Sequence, residues 1–107
     1  MEKKVEYPEP IHNLNIEAED EEDYDLSKHF DECFEYIDKK REECNVLVHC
    51  FAGVSRSASV VIAYLMKKNS WTYQQTHDFV YLKRPLIQPN AGFANILKKY
   101  ESKILEN

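Results

Sequence analysis

The hydrophobic positions in the first half of the chain change their spacing twice. Within residues 11–16, polar and apolar side chains alternate around Leu14, which predicts a strand. Residues 45–48 form a short apolar run, Asn-Val-Leu-Val, that is typical of a buried strand. Between the two segments, helical spacing predicts a helix from Asp25 or Ser27 to about Arg41. Its apolar face consists of Leu26, Phe30, Cys33, Phe34 and Ile37.

The second half of the chain keeps helical spacing. An apolar run over residues 57–66 predicts a buried helix that ends near two lysines, which suit the negative end of a helix dipole. A turn at residues 69–70 separates it from a helix over about 72–83, and Asn90 caps a last helix. The side chains expected inside are Thr76, Phe79 and Val80, followed by Phe93, Ile96, Leu97, Tyr100 and Ile104.

This order of elements predicts an α/β fold. Strand, helix, strand and then helices are typical of a small, mostly parallel sheet flanked by helices, with a right-handed crossover. The 107 residues suffice for one small domain. Residues 1–10 are polar and contain two prolines. We therefore expect a loose lead-in over 1–10 and a single domain over 11–107.

The negative charge is concentrated in one segment. The chain has a net charge of −5, and residues 17–25 contain seven of its 19 acidic residues and no base. The rest of the chain then has 12 acidic residues (19 − 7) against 14 basic ones. Nucleic acid and anionic membranes are therefore not expected as partners. No apolar run reaches the roughly 18 residues of a membrane span, and no signal peptide is expected.

The cysteines and histidines do not form a metal or disulfide pattern. Cys33, Cys44 and Cys50 are an odd number at irregular spacing, unlike a disulfide framework or a zinc site. The histidines also lack a spacing suited to metal ligation, so we expect neither a metal nor another cofactor. A reducing compartment fits free thiols best. We expect a cytoplasmic location, with the nucleus as a second one.

The loop between the second strand and the next helix is where chemistry is predicted. The loop, called the signature loop below, runs over residues 49–57 with the sequence His-Cys-Phe-Ala-Gly-Val-Ser-Arg-Ser. A tight loop between a strand and a helix lets backbone N–H groups converge at the helix N-terminus, where they bind an anion of phosphate size. Gly53 permits the backbone reversal at its apex.

Cys50 and Arg56 stand at the two ends of this loop. A thiol that faces N–H dipoles, a helix N-terminus and a guanidinium ionises more readily than a free thiol. The planar guanidinium of Arg56 can hold two phosphate oxygens at once, which a lysine cannot do. The alternative is a buried structural cysteine beside a surface arginine. The order and spacing of the strand, the glycine, the arginine and the helix favour a reactive cysteine over this alternative.

The signature loop resembles that of cysteine-dependent protein tyrosine phosphatases. Its Ala-Gly-Val-Ser-Arg-Ser sequence, followed by Val-Ile-Ala-Tyr-Leu-Met at 61–66, is similar to the dual-specificity branch. The resemblance implies a phosphotyrosine-phosphatase-like fold and hydrolysis of phosphotyrosine, and of phosphoserine or phosphothreonine, through a cysteinyl phosphate. It implies catalysis by Cys50 and Arg56 without a metal. The phosphate would be bound by Phe51, Ala52, Gly53, Val54, Ser55 and Arg56.

A general acid is needed to protonate the leaving oxygen. The carboxyl ends of adjacent strands face one crevice, which places the acidic residues of 17–25 near the loop, but the pattern alone does not choose among them. The resemblance does: Ile16-x3-Asp20-x5-Leu26-x3-Phe30 is similar to the family segment that carries the general acid. We therefore expect Asp20 in this role, with Asp23 as the second choice.

The resemblance also assigns three supporting residues. Ser57 is expected to donate a hydrogen bond to the sulfur and ease its departure. His49 is expected to orient the loop, although a packed histidine is an alternative. Asn90, in Gln-Pro-Asn-x-Gly-Phe, is similar to a family asparagine whose side chain holds the loop, although a simple N-cap is an alternative.

Family domains usually begin earlier, with further strands and a helix before the general-acid strand. A shortened domain would leave an apolar sheet edge exposed, which invites pairing with another chain. We expect either a homo-oligomer formed through that edge or packing of residues 1–10 into the gap.

Three other functions stay open. One is a phosphoprotein-binding module without turnover. Another is a phosphatase for a non-protein phosphate ester, disfavoured because Phe51, Ala52 and Val54 leave no lysine inside the loop. The third is a redox-sensing thiol protein that pairs Cys44 with Cys50.

Overall fold

The computed structural model describes residues 18–50 and 54–105. A 3₁₀ turn over Leu26–His29 leads directly into α1 (Phe30–Lys40). The signature loop leads into α2 (Arg56–Asn69), which is followed by α3 (Tyr73–Lys83) and α4 (Ala91–Leu105). The predicted helices are therefore confirmed, with ends within a few residues of those expected.

Helix α2 is the centre of the described structure and packs against α1, α3 and α4. It can do so because its buried side chains lie on several faces. A helix that is apolar on most of its circumference is typical of a buried position. Ile62 and Met66 are fully buried, and small residues such as Ala58 and Ala63 allow neighbouring helices to approach.

Local hydrogen bonds fix the helix ends. The side chain of Asp25 accepts from the N–H of Ser27 at 3.1 Å and caps the 3₁₀ turn. Thr72 and Gln75 form a capping box at the start of α3. The predicted turn after α2 is confirmed, and Ser70 adopts the left-handed conformation there, with φ 56°.

Asp38 connects α1 to α2. Its carboxylate accepts hydrogen bonds from Lys68 Nζ at 2.9 Å and from the Tyr64 hydroxyl at 2.8 Å. Arg41 Nε donates to the same oxygen at 3.3 Å. The hydrogen bond from Lys68, followed by that from Tyr64, lowers the pKa of Asp38 to about 2.

The predicted mostly parallel sheet is wrong for the described part of the chain, which contains helices and no strand. Residues 45–50 belong to no strand, and Leu47, expected in a buried strand, is 81% exposed. The physical reason is that a strand requires a hydrogen-bonded neighbour, and none of the described segments supplies one. The predicted strand over 11–16 and the lead-in over 1–10 lie outside the described residues. Self-association through a sheet edge stays a prediction.

Phe79 is a second correction. Thr76 and Val80 of α3 are buried as expected, but Phe79 is 42% exposed. Thr76 and Val80 are four residues apart and define the inward face, while Phe79 lies at its border. There it packs against the Trp71 ring at a centroid distance of 5.3 Å, and Lys83 Nζ lies 5.6 Å from its ring centroid.

Candidate active site

The sulfur of Cys50 faces the N-terminus of α2. The backbone N–H of Ser57 donates to Cys50 Sγ at 3.4 Å, and Ser57 Oγ lies 3.4 Å from the same sulfur. Since α2 begins at Arg56, the Ser57 N–H is one of the first four of the helix, which have no acceptor within it. These donors, and the positive end of the helix dipole, stabilise a negative charge on the sulfur.

Arg56 is buried at the same helix end and reaches residues 18–25, called the acidic segment below. Only 4% of the residue is exposed, and its Nη1 donates to the carbonyl oxygen of Ala18 at 3.1 Å. A guanidinium has five N–H donors in a planar fork. One of them therefore holds the start of the acidic segment next to the loop that carries Cys50.

Backbone and hydroxyl contacts hold the last part of the signature loop. The carbonyl oxygen of Val54 accepts from the N–H of Gln88 at 2.7 Å. The carbonyl oxygen of Ser55 accepts from Ser59 Oγ at 2.7 Å. The buried Ser55 Oγ accepts from the N–H of Asn90 at 3.0 Å. Val54 and Ser55 are thus fixed both by α2 and by the segment that precedes α4.

Asn90 makes three hydrogen bonds, two of which join these parts. Its backbone donates to Ser55 Oγ, its Oδ1 accepts from the N–H of Phe93 at 2.8 Å, and its Nδ2 donates to Asp20 Oδ1 at 2.9 Å. Asn90 therefore caps α4, as the helical pattern predicts. Its backbone makes the bond to Ser55, and the role of its side chain in holding the signature loop stays a prediction.

The structure separates the two candidate acids. Asp20 is exposed and bonded to Asn90, whose backbone is in turn bonded to the signature loop. Asp23 lines a cavity of about 610 Å³ between the acidic segment and α4. The residues that line this cavity do not include Cys50 or Arg56. The connection to the loop favours Asp20 over Asp23.

Glycine 92 allows the acidic segment to approach α4. A Cβ atom built on Gly92 would overlap the carbonyl oxygen of Glu22 and lie 2.6 Å from its carbonyl carbon. Any other residue would force the two backbones apart. Sequence reasoning found neither this contact nor the Ala18 carbonyl, although Gly92 stands in the same Asn-x-Gly-Phe segment as Asn90.

The remaining predicted residues divide into two groups. Phe51, Ala52 and Gly53 lie outside the described residues. His49 is exposed, so it is not a packed core histidine, and its role in orienting the loop stays a prediction.

The other two cysteines differ in their surroundings. Cys33 is buried, and its burial raises the pKa of the thiol to about 11. Cys44 is exposed, and its Sγ lies 3.5 Å from the carbonyl oxygen of Lys40.

Within residues 18–50 and 54–105, no group of three His, Cys, Asp or Glu side chains is placed to hold a metal ion. None of the helices in that part of the chain is both long and apolar enough to cross a membrane.

Comparison with known proteins agrees with this geometry. The family model "Dual specificity phosphatase, catalytic domain" matches residues 1–103. MAP kinase phosphatase with leucine-rich repeats protein 3 of Dictyostelium discoideum is 49% identical over 99 residues, which cover 92% of this chain and 12% of that protein. Dual specificity protein phosphatase 1 of Arabidopsis thaliana is 48% identical over 87 residues, which cover 80% of this chain and 44% of that protein. The chain thus spans less than half the length of either relative.

A solved structure shows the same similarity in three dimensions. The crystal structure of DUSP15 matches 99% of this chain with a TM-score of 0.90 and 31% sequence identity, and the match covers 71% of that chain. The backbone path described above is therefore similar to that of DUSP15 in its crystal structure.

Proposed function

This chain belongs to the family of dual-specificity phosphatase catalytic domains, and from that premise we propose that it hydrolyses phosphate monoesters on proteins through a cysteinyl phosphate. The substrates are phosphotyrosine and, in a cleft shallow enough to admit them, phosphoserine and phosphothreonine. Cys50 is the nucleophile, Arg56 and the signature loop bind the phosphate, and Asp20 is the general acid.

The first step transfers the phosphoryl group to the enzyme. The thiolate of Cys50 attacks phosphorus in line with the ester oxygen, so that the S–P bond forms as the P–O bond breaks. Arg56 and the loop N–H groups bind the three equatorial oxygens, whose charge they stabilise. Asp20 gives its proton to the departing oxygen, and the protein product leaves as a neutral hydroxyl.

The second step returns the enzyme to its starting state. Asp20, now a carboxylate, takes a proton from a water molecule as the water oxygen attacks phosphorus. The S–P bond breaks, inorganic phosphate forms, and Cys50 is again a thiolate. Ser57, whose Oγ lies 3.4 Å from the sulfur, donates a hydrogen bond to the leaving thiolate.

One observation carries this proposal: the Ser57 N–H at the first turn of α2 donates to Cys50 Sγ. An inert structural cysteine is ordinarily packed among apolar groups, as Cys33 is, where burial raises its thiol pKa to about 11. Cys50 is instead directed at the positive end of a helix, where a thiolate is stabilised. A reactive thiol also favours the reducing cytoplasmic or nuclear location expected from the sequence.

Turnover of 4-nitrophenyl phosphate tests the proposal. Wild type and Cys44→Ser should hydrolyse it equally, because Cys44 is exposed and outside the site. Cys50→Ser should lose at least about 1000-fold in kcat, as expected for removal of a nucleophile. A wild-type protein that binds vanadate or a phosphopeptide without hydrolysing the ester would instead be a binding module. A Cys44–Cys50 disulfide under mild peroxide, again without turnover, would favour a redox sensor.

A further inference from the structure

The acidic segment contacts the rest of the protein through every second residue from Ala18 to Glu22. The carbonyl oxygen of Ala18 accepts from Arg56, the carboxylate of Asp20 accepts from Asn90, and the backbone of Glu22 lies against Gly92. The first contact involves the phosphate-binding arginine. The second and third both come from the start of α4, an element to which the mechanism has so far given no task.

The orientation of the Asn90 amide follows from its partners. The backbone N–H of Phe93 can only donate, so the atom of Asn90 that faces it at 2.8 Å must be the amide oxygen. The NH₂ group is then the part that faces Asp20 Oδ1 at 2.9 Å. Because an NH₂ group cannot accept, the proton of a neutral Asp20 is left to Oδ2. Asn90 thereby determines which oxygen of the acid carries the proton.

Gly92 sets how closely the same segment can approach. The Glu22 carbonyl occupies the space in which a side chain at position 92 would begin. Substitution by alanine therefore requires the acidic segment to move away from α4. Asp20 is two residues from Glu22, so its carboxylate moves as well, and misplacement of a catalytic group by about 1 Å can cost about 100-fold in rate.

We infer that two residues position the general acid Asp20: Asn90, which lies just before α4, and Gly92, which lies in its first turn. The inference rests on the proposed function, since it assigns a task to residues around the proposed acid. Asn90 also couples the acid to the phosphate site, because its backbone N–H is bonded to Ser55 Oγ in the signature loop. One residue thus sets the distance between the group that protonates the leaving oxygen and the loop that binds the phosphate.

This role has a kinetic signature that a structural role lacks. A poor leaving group depends on protonation more than a good one does. Phenol is a much weaker acid than 4-nitrophenol, so phenyl phosphate depends more on Asp20 than 4-nitrophenyl phosphate does. Loss of acid positioning should therefore lower kcat/KM more for phenyl phosphate, whereas damage to the phosphate loop should lower both values alike.

The test compares Asn90→Ser with wild type on both substrates. Serine is a good N-cap that can still accept from Phe93, but its side chain is too short to keep the bond to Asp20. We expect kcat/KM to fall about 10-fold further for phenyl phosphate than for 4-nitrophenyl phosphate. Gly92→Ala should shift the ratio in the same direction. Asn95→Ala, an exposed position one turn further along α4, should leave the ratio unchanged.

A double substitution adds an internal check. If Asn90 acts through Asp20, then Asp20→Asn combined with Asn90→Ser should lose little beyond Asp20→Asn alone, because the two effects are not additive. Suppose that wild type turns over. Equal losses of kcat/KM on the two substrates in Asn90→Ser, or fully additive losses in the double substitution, would then overturn the inference and leave the proposed function intact. A wild type that hydrolyses neither ester, with pure and folded protein, would overturn both. If Gly92→Ala does not fold, Asn90→Ser and the double substitution still decide.

Discussion

The backbone N–H of Ser57 donates a hydrogen bond to the sulfur of Cys50 across 3.4 Å, between residues seven positions apart in the chain. The bond places a thiol at the end of α2 where N–H groups have no acceptor within the helix. Arg56 begins the same helix. The proposed nucleophile and the proposed phosphate-binding cation are therefore positioned by one element, which is also the most buried helix of the described structure.

Arg56→Lys should lower kcat/KM by at least about 100-fold, the loss that follows removal of one preorganised donor to a developing charge. A lysine has no planar fork, so it cannot hold both the Ala18 carbonyl and two phosphate oxygens. Steady-state kinetics on 4-nitrophenyl phosphate measure the effect. The matched control is Arg41→Lys, an exposed surface position, which should change kcat/KM less than twofold. A similarly small loss in Arg56→Lys would contradict the role given to the guanidinium.

Ser57→Ala should slow the second step more than the first. The variant loses the hydroxyl near the sulfur but keeps the backbone N–H that donates to it. We expect kcat to fall about 10-fold while kcat/KM changes little, because the missing donor assists only the departure of the thiolate. Rapid-mixing kinetics should then show a burst of 4-nitrophenol. The absence of a burst, with kcat/KM reduced as much as kcat, would assign Ser57 to the first step.

The stability of the protein should depend on pH through Asp38. Hydrogen bonds from Lys68 and Tyr64 lower the pKa of Asp38 to about 2 in the folded state, from an ordinary value near 3.8. A group whose folded pKa is depressed stabilises the fold above its unfolded pKa, and the contribution is lost as pH falls through the folded pKa. The window is therefore between about pH 4 and pH 2.

Thermal unfolding over this window checks the prediction. Between pH 5 and pH 2, the Tm of wild type should fall further than the Tm of Asp38→Asn, which lacks the titrating carboxylate. Asp78→Asn, on the exposed side of α3, should behave like wild type. Identical pH profiles for wild type and Asp38→Asn would show that the link between α1 and α2 contributes nothing.

Ile62→Ala should lower the free energy of unfolding by about 2–5 kcal/mol, the usual cost of truncating a fully buried aliphatic side chain. Ile62 has no exposed surface, and it belongs to α2, which packs against three other helices. Val61, the adjacent residue, is only partly buried, so Val61→Ala should cost clearly less. Urea unfolding measures both values, and equal losses would contradict the central place of α2.

The sequence sufficed for those features that depend on neighbouring residues. Helical spacing located α1 to α4, and local chemistry identified the turn at Ser70 and the cap at Asn90. Cys50 and Arg56 could be selected as candidates because both lie in one short motif. The pairing of Asn90 with Asp20 joins residues 70 positions apart, and no local pattern contains it. The hydrogen bond from Arg56 to the Ala18 carbonyl could not be predicted, because every residue has a backbone carbonyl and the sequence does not show which one accepts.

The wrong predictions have the same origin. The apolar run over 45–48 was interpreted as a buried strand, but a strand exists only with a partner, and partnership is non-local. Phe79 lies at the border of its helix face, where spacing alone does not decide burial. Its exposure depends on the nearby Trp71 ring, with which it packs.

A covalent intermediate on Cys50 is the feature that distinguishes the proposed mechanism from every alternative. Ser57→Ala should accumulate it, so this variant is mixed with 4-nitrophenyl phosphate and the burst is stopped with a denaturant at mildly alkaline pH, where phosphate on cysteine or histidine survives. The protein is then digested and mapped by mass spectrometry. One phosphoryl group should be added to the peptide that contains Cys50, attached to its sulfur, and none should be added in Cys50→Ser. Phosphate on His49, or turnover that persists in Cys50→Ser, would rule out Cys50 as the nucleophile.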